Sequence, residues 1–270
     1  MNRGILTIAI GKKYISQAKF LAYSCIINSP KTIRAVITDR SNELINFYNI
    51  IIPFNSKDDP FSLKTRLIEF SPFDQTLFLD ADSLLINDID DYWNFFTDGN
   101  YLYEGAKLFT GKWYFDIKTV CKLFNLEWIP KFNSGMILYR KCKETQNIFQ
   151  DAFYYFENGK NLGLDIEFFR KNHIPDEPAL AISLSKHNIE PFDDFGKFSR
   201  TLIGAKNIKI NSIKKVAKLF KNGKTLYPLV IHFCGRKGGL YYLLEKIRIF
   251  LHFFPTSLST PPTPPSSPLL

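Results

Sequence analysis

Short apolar runs alternate with helical patterns in the first third of the chain, and this alternation constrains the fold more than any other feature. Ile5–Ile10, Arg34–Thr38 and Thr76–Leu79 are apolar runs of strand length. Between them, residues 14–27 and 62–70 carry apolar side chains at helical spacing. A strand–helix–strand rhythm predicts a mostly parallel sheet with helices on its faces.

The second half of the chain is less regular but belongs to the same class of fold. Its pattern predicts a strand at Met136–Tyr139, helices over 143–158 and Glu177–Ser185, and a late strand at Pro228–Phe233. An apolar segment with interspersed charges follows over 240–254. We therefore predict an α/β protein built around one central sheet.

The composition excludes several classes of protein. Hydrophobic residues make up 45% and charged residues 23% of the 270 residues, which is typical of a globular core and not of a disordered chain. No apolar run reaches the ~18 residues that a membrane-spanning helix needs, and Ile5–Ile10 is too short for a signal-peptide core. The four cysteines lack C-x-x-C spacing, so we expect neither a zinc site nor a disulfide framework. We expect a cytoplasmic globular protein.

The net charge of +9 belongs to one segment near the C-terminus. Between Lys206 and Arg248 there are 11 Lys and Arg residues and one acidic residue, Glu245, which leaves 24 basic and 25 acidic residues in the rest of the chain. Such a run is often a solvated helix face. It is also typical of a patch that meets a polyanion, a nucleotide diphosphate or an anionic bilayer.

Two carboxylates follow the third predicted strand. The segment Leu77–Ile86 reads LFLDADSLLI, which places Asp80 and Asp82 two residues apart at a strand end. Side chains at this spacing point the same way, so both can reach one Mg²⁺ or Mn²⁺ ion. A D-x-D triplet is also common in turns and helix caps. The position of this triplet favours a metal site, because ligands of open α/β sheets bind beyond the carboxyl ends of the strands.

A histidine and a glycine-rich basic segment end the late strand. His232 lies in the apolar run VIHF, where a lone histidine is often a core residue bonded to a backbone carbonyl. Here it precedes Cys234–Gly239 (CGRKGG), which we interpret as a loop that can bring backbone amides and two cations to a phosphate. A late-strand histidine can complete a metal site that two aspartates begin.

Two further motifs have ordinary structural explanations. Lys131–Met136 (KFNSGM) is a small-residue turn before a strand, in which the Asn133 amide can both donate and accept hydrogen bonds to a ligand. Pro175–Pro178 (PDEP) begins a helix, where Asp176 is a sensible N-cap.

Taken in order, these four motifs resemble the retaining glycosyltransferase family 8, which contains glycogenin and bacterial lipopolysaccharide galactosyl- and glucosyltransferases. The resemblance covers roughly residues 5–240. It is carried by FLDADSLLINDID, FNSGMILY, DEPALAISL and HFCGRKG.

The resemblance implies a single GT-A (Rossmann-like) domain over residues 1–254. Its nucleotide-binding half would cover about 1–95, its sugar and acceptor half about 96–239, and an apolar C-terminal helix 240–254. Segment 255–270 holds 6 of the 15 prolines and is expected to be disordered.

The resemblance also implies a donor site for a nucleotide sugar, usually a UDP-sugar, held through Mn²⁺ or Mg²⁺. Asp80, Asp82 and His232 would be the metal ligands. Asp176 and Glu177 would be the catalytic carboxyl groups near the reacting carbon, with Asp176 reading the sugar hydroxyls. The resemblance places Ala9, Gly11 and Tyr14 around the nucleobase, Asn133 at the donor sugar, and Gly235 and Lys237 at the diphosphate. The other implied donor contacts are Lys64, Ala81, Ser134 and Gly135.

Two positions depart from the family pattern. The family usually has a lysine six residues after the histidine, where this chain has Gly238, so the diphosphate contact falls to Lys237, Arg236 or neither. Glu177 stands where many members have glutamine.

The predicted function is transfer of a hexose, with retention of configuration, from a nucleotide sugar to a glycan or glycolipid. Retention by a covalent intermediate and by same-face attack both stay open. The alternatives are a nucleotide-sugar- or glycan-binding protein with little turnover, and a metal-dependent phosphohydrolase with Asp80 as nucleophile. Nucleic-acid binding is disfavoured, because no module for it is visible.

Contact with a membrane is a further expectation. Lys214, Lys215, Lys218, Lys221 and Lys224, followed by the apolar segment 240–254, could lie on an anionic membrane. That would place the protein peripherally at the inner face of the membrane. The competing interpretation is that 240–254 is a core helix packed on the sheet.

Overall fold

A computed structural model describes residues 2–54, 59–97, 99–166, 173–192, 194 and 196–254. The segment 255–270, for which the sequence predicts disorder, lies outside the described residues. The described chain forms the predicted α/β structure around a mostly parallel central sheet.

Strands and helices follow one another in the predicted order, with additional strands in the second half. The strands are β1 (Arg3–Ala9), β2 (Ile33–Thr38), β3 (Ile50–Pro53), β4 (Gln75–Leu79), β5 (Ser83–Leu85), β6 (Tyr101–Leu102), β7 (Gly105–Leu108), β8 (Ile129–Phe132), β9 (Met136–Arg140), β10 (Arg200–Thr201), β11 (Lys206–Asn211), β12 (Val216–Lys221), β13 (Lys224–Leu226) and β14 (Val230–His232). The α-helices are α1 (Lys12–Asn28), α2 (Ser41–Leu44), α3 (Leu67–Phe70), α4 (Ile117–Phe124), α5 (Lys143–Asn158), α6 (Asp176–Lys186) and α7 (Gly235–Phe253). Two 3₁₀ helices span Pro60–Arg66 and Asp90–Thr97.

The central sheet has six strands in the order β3-β2-β1-β4-β9-β6. Strands β1 to β4 are parallel, β9 is antiparallel to β4, and β6 is antiparallel to β9. The carboxyl ends of β1 and β4 therefore lie at the same edge, where Asp80 follows the last residue of β4. This edge is where the sequence predicts a ligand site.

Two apolar layers cover the sheet because side chains alternate between its faces. Leu6 and Phe78 belong to one buried cluster with residues of α5 and α6. Their neighbours Ile5 and Leu77 belong to another cluster, with residues of α1 and of the second 3₁₀ helix. Burial on both faces explains why β1 and β4 read as continuous apolar runs.

Two smaller sheets flank the central one. Strands β10, β14 and β5 form one of them, in which His232 of β14 pairs with Ser83 of β5. Strands β11, β12 and β13 form an antiparallel meander. The first small sheet matters for the site, because it connects the late strand to the residues that follow β4.

The prediction of a loop at Cys234–Gly239 is wrong, because helix α7 already begins at Gly235. Packing explains the glycine at position 238: a Cβ there would lie 2.4 Å from the Phe233 carbonyl oxygen. Gly238 thus allows the first turn of the helix to approach the end of β14. The C-terminal helix, predicted over 240–254, therefore begins five residues earlier, at Gly235.

Candidate functional site

A cavity of about 970 Å³ opens at the carboxyl ends of β1 and β4. Its walls come from the loop after β4, from the first 3₁₀ helix, from the start of α6 and from the end of β14. Seven residues predicted for the site line it: Tyr14, Lys64, Asp80, Ala81, Asp82, Asp176 and His232. The structure thus brings together the D-x-D motif, the acidic helix start and the late histidine.

Asp80, Asp82 and His232 form a compact set of metal-ligand groups. One ligand atom from each lies within 4.8 Å of the others. His232 Nε2 is 3.1 Å from Asp82 Oδ1 and 3.6 Å from Asp80 Oδ2. Carboxylate oxygens with one imidazole nitrogen suit Mn²⁺ or Mg²⁺, so the residues fit the predicted metal.

The pairing of β14 with β5 places His232 beside Asp80 and Asp82. His232 lies opposite Ser83, and the Phe233 N–H donates to the Asp82 carbonyl oxygen over 3.0 Å. Burial opposes protonation of His232, but the hydrogen bond with Asp82 and the charges of both aspartates raise its pKa. Burial likewise opposes ionisation of Asp82, yet the bond with His232 lowers the pKa of that carboxyl. The two groups stabilise each other's charged forms.

Asn133 orients the imidazole from its other side. Its Oδ1 accepts from the Gly135 N–H over 3.1 Å and lies 2.7 Å from His232 Nδ1. An amide oxygen only accepts, so Nδ1 carries a proton in both the charged and the neutral ring, and Nε2 faces the carboxylates. A Cβ on Gly135 would lie 2.4 Å from Nδ1, so only glycine leaves room for the ring. The sequence predicts that Asn133 contacts the donor, and in the structure its oxygen is bonded to His232.

Lys64 joins the metal-ligand group to the start of α6. Its Nζ lies 2.9 Å from Asp80 Oδ1 and 3.4 Å from Asp176 Oδ2. Ser134 bridges the same groups, because its hydroxyl accepts from Lys64 over 3.3 Å and donates to Asp176 Oδ2 over 3.0 Å. Burial opposes the charged ammonium, but Asp176 and Asp80 raise the pKa of Lys64 above its ordinary value. Lys64 is therefore a fixed positive charge on the cavity wall.

Glu177 adjoins this network and has a different environment from Asp176. The Tyr114 hydroxyl donates to Glu177 Oε2 over 3.1 Å. Burial and then the charge of Asp176 raise the pKa of Glu177 to about 7, although Lys64 opposes the shift. Glu177 can therefore gain or lose a proton near neutral pH, which is the property of a general acid or base.

Comparison with known proteins identifies the fold. No protein-family model and no curated protein matches the chain. Among solved structures, the galactosyltransferase LgtC in complex with donor and acceptor sugar analogues is similar with a TM-score of 0.56, at 16% identity over 86% of this chain and 87% of LgtC. An active-site Gln-to-Glu mutant of LgtC gives a TM-score of 0.57, at 17% identity over 86% of this chain and 88% of that one.

A third similar structure is the bifunctional glycosyltransferase WbbM in its apo form. The TM-score is 0.58 at 9% identity, and the match covers 92% of this chain but 49% of WbbM. The chain has a GT-A glycosyltransferase fold. The predicted fold class is thereby confirmed, and the cavity lies where this fold presents the carboxyl ends of its strands.

The part of this GT-A fold predicted to hold the nucleobase is built around the loop after β1. Tyr14, in the first turn of α1, lines the cavity and is 48% exposed. Gly11 donates its N–H to Asp39 Oδ1 over 3.0 Å and has a φ of +87°, which favours glycine. Ala9 is the last residue of β1, directly before this loop, and is fully buried.

The two residues predicted for the diphosphate lie in the first turn of α7. Gly235 begins the helix directly after Cys234, a cavity-lining residue. The amino group of Lys237 donates to the Ala205 carbonyl oxygen, and Lys237 is not among the residues that line the cavity. Burial raises the pKa of the Cys234 thiol to about 11, so it is a poor nucleophile.

One wall of the cavity is aromatic and was not predicted from the sequence. Phe61, Tyr114, Phe156 and His173 line it. The His173 ring stacks on Phe156 at 4.2 Å between ring centres, and its Nε2 lies 2.6 Å from Asp59 Oδ2. Phe156 lies in the predicted helix over 143–158, but helical spacing does not show which of its side chains faces the cavity. Tyr114 and His173 lie in segments without strand or helix periodicity.

Proposed function

We propose that the protein is a metal-dependent retaining glycosyltransferase of family 8 that transfers a hexose from a nucleotide sugar, such as a UDP-hexose. The observation that carries the proposal is the connected set in the cavity. Asp80, Asp82 and His232 form a ligand group, and Lys64 connects it to Asp176 beside Glu177. The GT-A fold supports glycosyl transfer in general.

Asp80, Asp82 and His232 would hold Mn²⁺ or Mg²⁺. A divalent cation there supplies positive charge for the diphosphate as the bond to the sugar breaks. Lys64 adds a second positive charge from the cavity wall, and it costs no reorganisation because Asp80, Asp176 and Ser134 already hold its amino group. Gly235 and Lys237 are proposed to serve the diphosphate, which for Lys237 requires release of its bond to Ala205.

The sugar would lie between the ligand group and the start of α6. Asp176 would accept hydrogen bonds from the sugar hydroxyls beside the reacting carbon. Ser134 would hold Asp176 through its hydroxyl, and Gly135 would leave room for the His232 ring. Glu177, with Tyr114 donating to it, is the carboxyl group available for acid–base work near neutral pH. Ala81 and Tyr14 line the route toward the nucleobase, where the exposed Tyr14 ring offers a stacking surface.

The acceptor is proposed to be a glycan or lipid-linked glycan, and the site of action the cytoplasm. The competing function is a binding protein of the same fold that holds a nucleotide sugar or glycan with little turnover. Both functions need the donor site, so release of free UDP from the donor distinguishes the enzyme from the binding protein.

Calorimetry with UDP and UDP-hexoses, with and without Mn²⁺, tests the donor site. We expect Mn²⁺-dependent binding in the wild-type protein and loss of binding in Asp82→Asn, because that change removes one anionic ligand. The matched control is Asp91→Asn, which removes a carboxylate that is 69% exposed on the second 3₁₀ helix. Binding without Mn²⁺, or no binding by the wild type, would contradict the metal assignment and the donor assignment respectively.

A further inference from the structure

The outward side of α7 is an apolar stripe. Its residues follow one another at steps of one or three along the helix, so they share one side of it. Each of them is between 43% and 62% exposed: Leu240, Leu243, Leu244, Ile247, Phe250, Leu251 and Phe254. We call this set the outer stripe. Apolar side chains of this size, contiguous and exposed, mark an interaction surface.

The inward side of α7 is already occupied by the protein. Gly238, Tyr242, Glu245 and Ile249 are buried at steps of three and four on the opposite side of the helix. Tyr242 and Ile249 pack in a cluster with residues of β5, β11 and β14. The expectation that this segment is a core helix is thus correct for one side only. Apart from the contact of Phe254 with Tyr23, packing on the described residues does not account for the outer stripe.

The exposed charges of the segment that contains the meander and most of α7 are all positive. Residues 206–248 contain 11 Lys and Arg residues and one acidic residue, Glu245. Glu245 is 1% exposed, accepts from the Ser212 N–H over 2.7 Å and pairs with Arg248. Its negative charge therefore does not reach the surface, and the segment presents only cations to an approaching partner.

The meander beside α7 places lysines opposite one another. Lys209 of β11 pairs across the strands with Lys218 of β12, and Lys221 of β12 pairs with Lys224 of β13. Like charges directly opposite each other destabilise a sheet. Because side chains alternate between the two faces of a strand, Lys209 and Lys218 lie on the face opposite the buried Leu219. An anionic surface held against that face would remove the repulsion between these two lysines.

We propose that the outer stripe and the cationic meander bind the surface of an anionic lipid bilayer, with α7 parallel to the surface. Apolar side chains flanked by cations are the composition of an interfacial helix. No helix in the described part of the chain is long and apolar enough to cross a bilayer. A second copy of this chain is a poorer partner for the stripe, because it would bring another purely cationic segment against the first.

Cosedimentation with lipid vesicles tests the proposal. We expect the full-length protein to bind vesicles of phosphatidylcholine containing phosphatidylglycerol, to release from them at high salt, and not to bind phosphatidylcholine alone. Leu243→Gln/Ile247→Gln/Leu251→Gln should lower the affinity, because it removes exposed apolar area. Lys218→Glu/Lys224→Glu should lower it by at least about tenfold, because it reverses two surface charges.

Both variants are designed to fold, and each has a matched control. The glutamine substitutions affect exposed side chains, and each Lys-to-Glu change converts a like-charged cross-strand pair into an opposite one. The apolar control is Ile45→Gln/Phe109→Gln/Leu123→Gln, at exposed side chains outside α7. The charge control is Lys118→Glu/Lys122→Glu on α4, which changes the net charge by the same amount.

The outcomes separate cleanly. Weaker binding in the two test variants, with unchanged binding in both controls, supports the proposal. Absence of vesicle binding by the wild type, equal binding to neutral vesicles, or equal loss in the controls would overturn it. A wild-type dimer that the glutamine variant dissociates would show instead that the stripe joins two chains. UDP binding is measured separately from vesicle binding, so failure of the proposed function and failure of this proposal can be told apart.

Discussion

At the scale of single residues, the side-chain amide of Asn133 orients His232, the proposed metal ligand, by a hydrogen bond to Nδ1. Asn133 lies 99 positions before His232 and contacts Nδ1 over 2.7 Å. A group that orients a ligand in this way is a positioning residue, and its loss reduces metal affinity while leaving the ligands in place.

The change Asn133→Ala should lower Mn²⁺ affinity by about 10- to 100-fold, because the His232 ring loses its only described side-chain anchor opposite the carboxylates. Calorimetry with Mn²⁺ measures the affinity, and nitrogen chemical shifts of the imidazole report the tautomer. Asn161→Ala, at an exposed residue after α5, is the control. Unchanged affinity with an unchanged tautomer would contradict the positioning role.

Glu177 should make the stability of the protein depend on pH. Its folded pKa of about 7 lies above the ordinary 4.5, so the folded state binds more protons than the unfolded state between these values. The free energy of unfolding should therefore fall as pH rises from about 4.5 to about 7. Glu177→Gln removes this penalty and should be more stable than the wild type above pH 7, by on the order of 2 kcal/mol.

Urea denaturation at pH 5 and pH 8 checks this sign. The difference between Glu177→Gln and the wild type should be large at pH 8 and small at pH 5. Glu157→Gln, at an exposed residue of α5, should show no such difference. An equal effect of Glu177→Gln at both pH values would mean that the carboxyl group is not destabilised by its surroundings.

At the scale of secondary-structure elements, one buried carboxylate attaches α7 to the meander. Glu245 Oε2 accepts from the Ser212 N–H and from its hydroxyl, each over 2.7 Å. Arg248 on the same helix donates to the Ile210 carbonyl oxygen over 2.8 Å. The helix, though exposed on its outer side, is thus fixed by polar contacts as well as by Tyr242 and Ile249.

Glu245→Ala should lower the free energy of unfolding by about 3 kcal/mol, because it leaves the buried Ser212 donors without an acceptor. Hydrogen exchange should show the loss first in the amides of α7 and β11. The control Leu244→Ala, on the exposed side of the same helix, should change stability by less than about 1 kcal/mol. Equal effects of the two changes would show that Glu245 does not attach the helix.

The elements that the sequence predicts are those with a buried face. Strands β1 and β4 and helix α5 have continuous or periodic apolar patterns, because the core covers them. The meander escaped prediction because Lys218 and Lys221 interrupt the apolar pattern of β12, where only Leu219 is fully buried. The glycines of Cys234–Gly239 predict a loop because glycine favours loops, whereas Gly238 in fact allows close packing on Phe233.

At the scale of the whole molecule, the site gathers residues that the chain keeps far apart. Asp80 and Asp82 were predictable, because a carboxylate pair after a buried strand lies at the ligand edge of a parallel sheet. The contact of His232 with them depends on the antiparallel pairing of β14 with β5, which no local pattern encodes. Tyr114 could not be found, because it comes from a stretch without periodicity and reaches Glu177 only through tertiary packing.

The short connection between β14 and α7 also has a consequence for acceptor choice. Only Phe233 and Cys234 separate His232 from the first residue of α7. With α7 resting on lipid, so short a connection would hold the cavity at one height above the bilayer. The protein would then select acceptors by length. A lipid-linked glycan whose reactive hydroxyl lies at that height could enter the cavity, and a shorter or longer one could not. Acceptor length, and not only acceptor chemistry, would decide which molecule is extended.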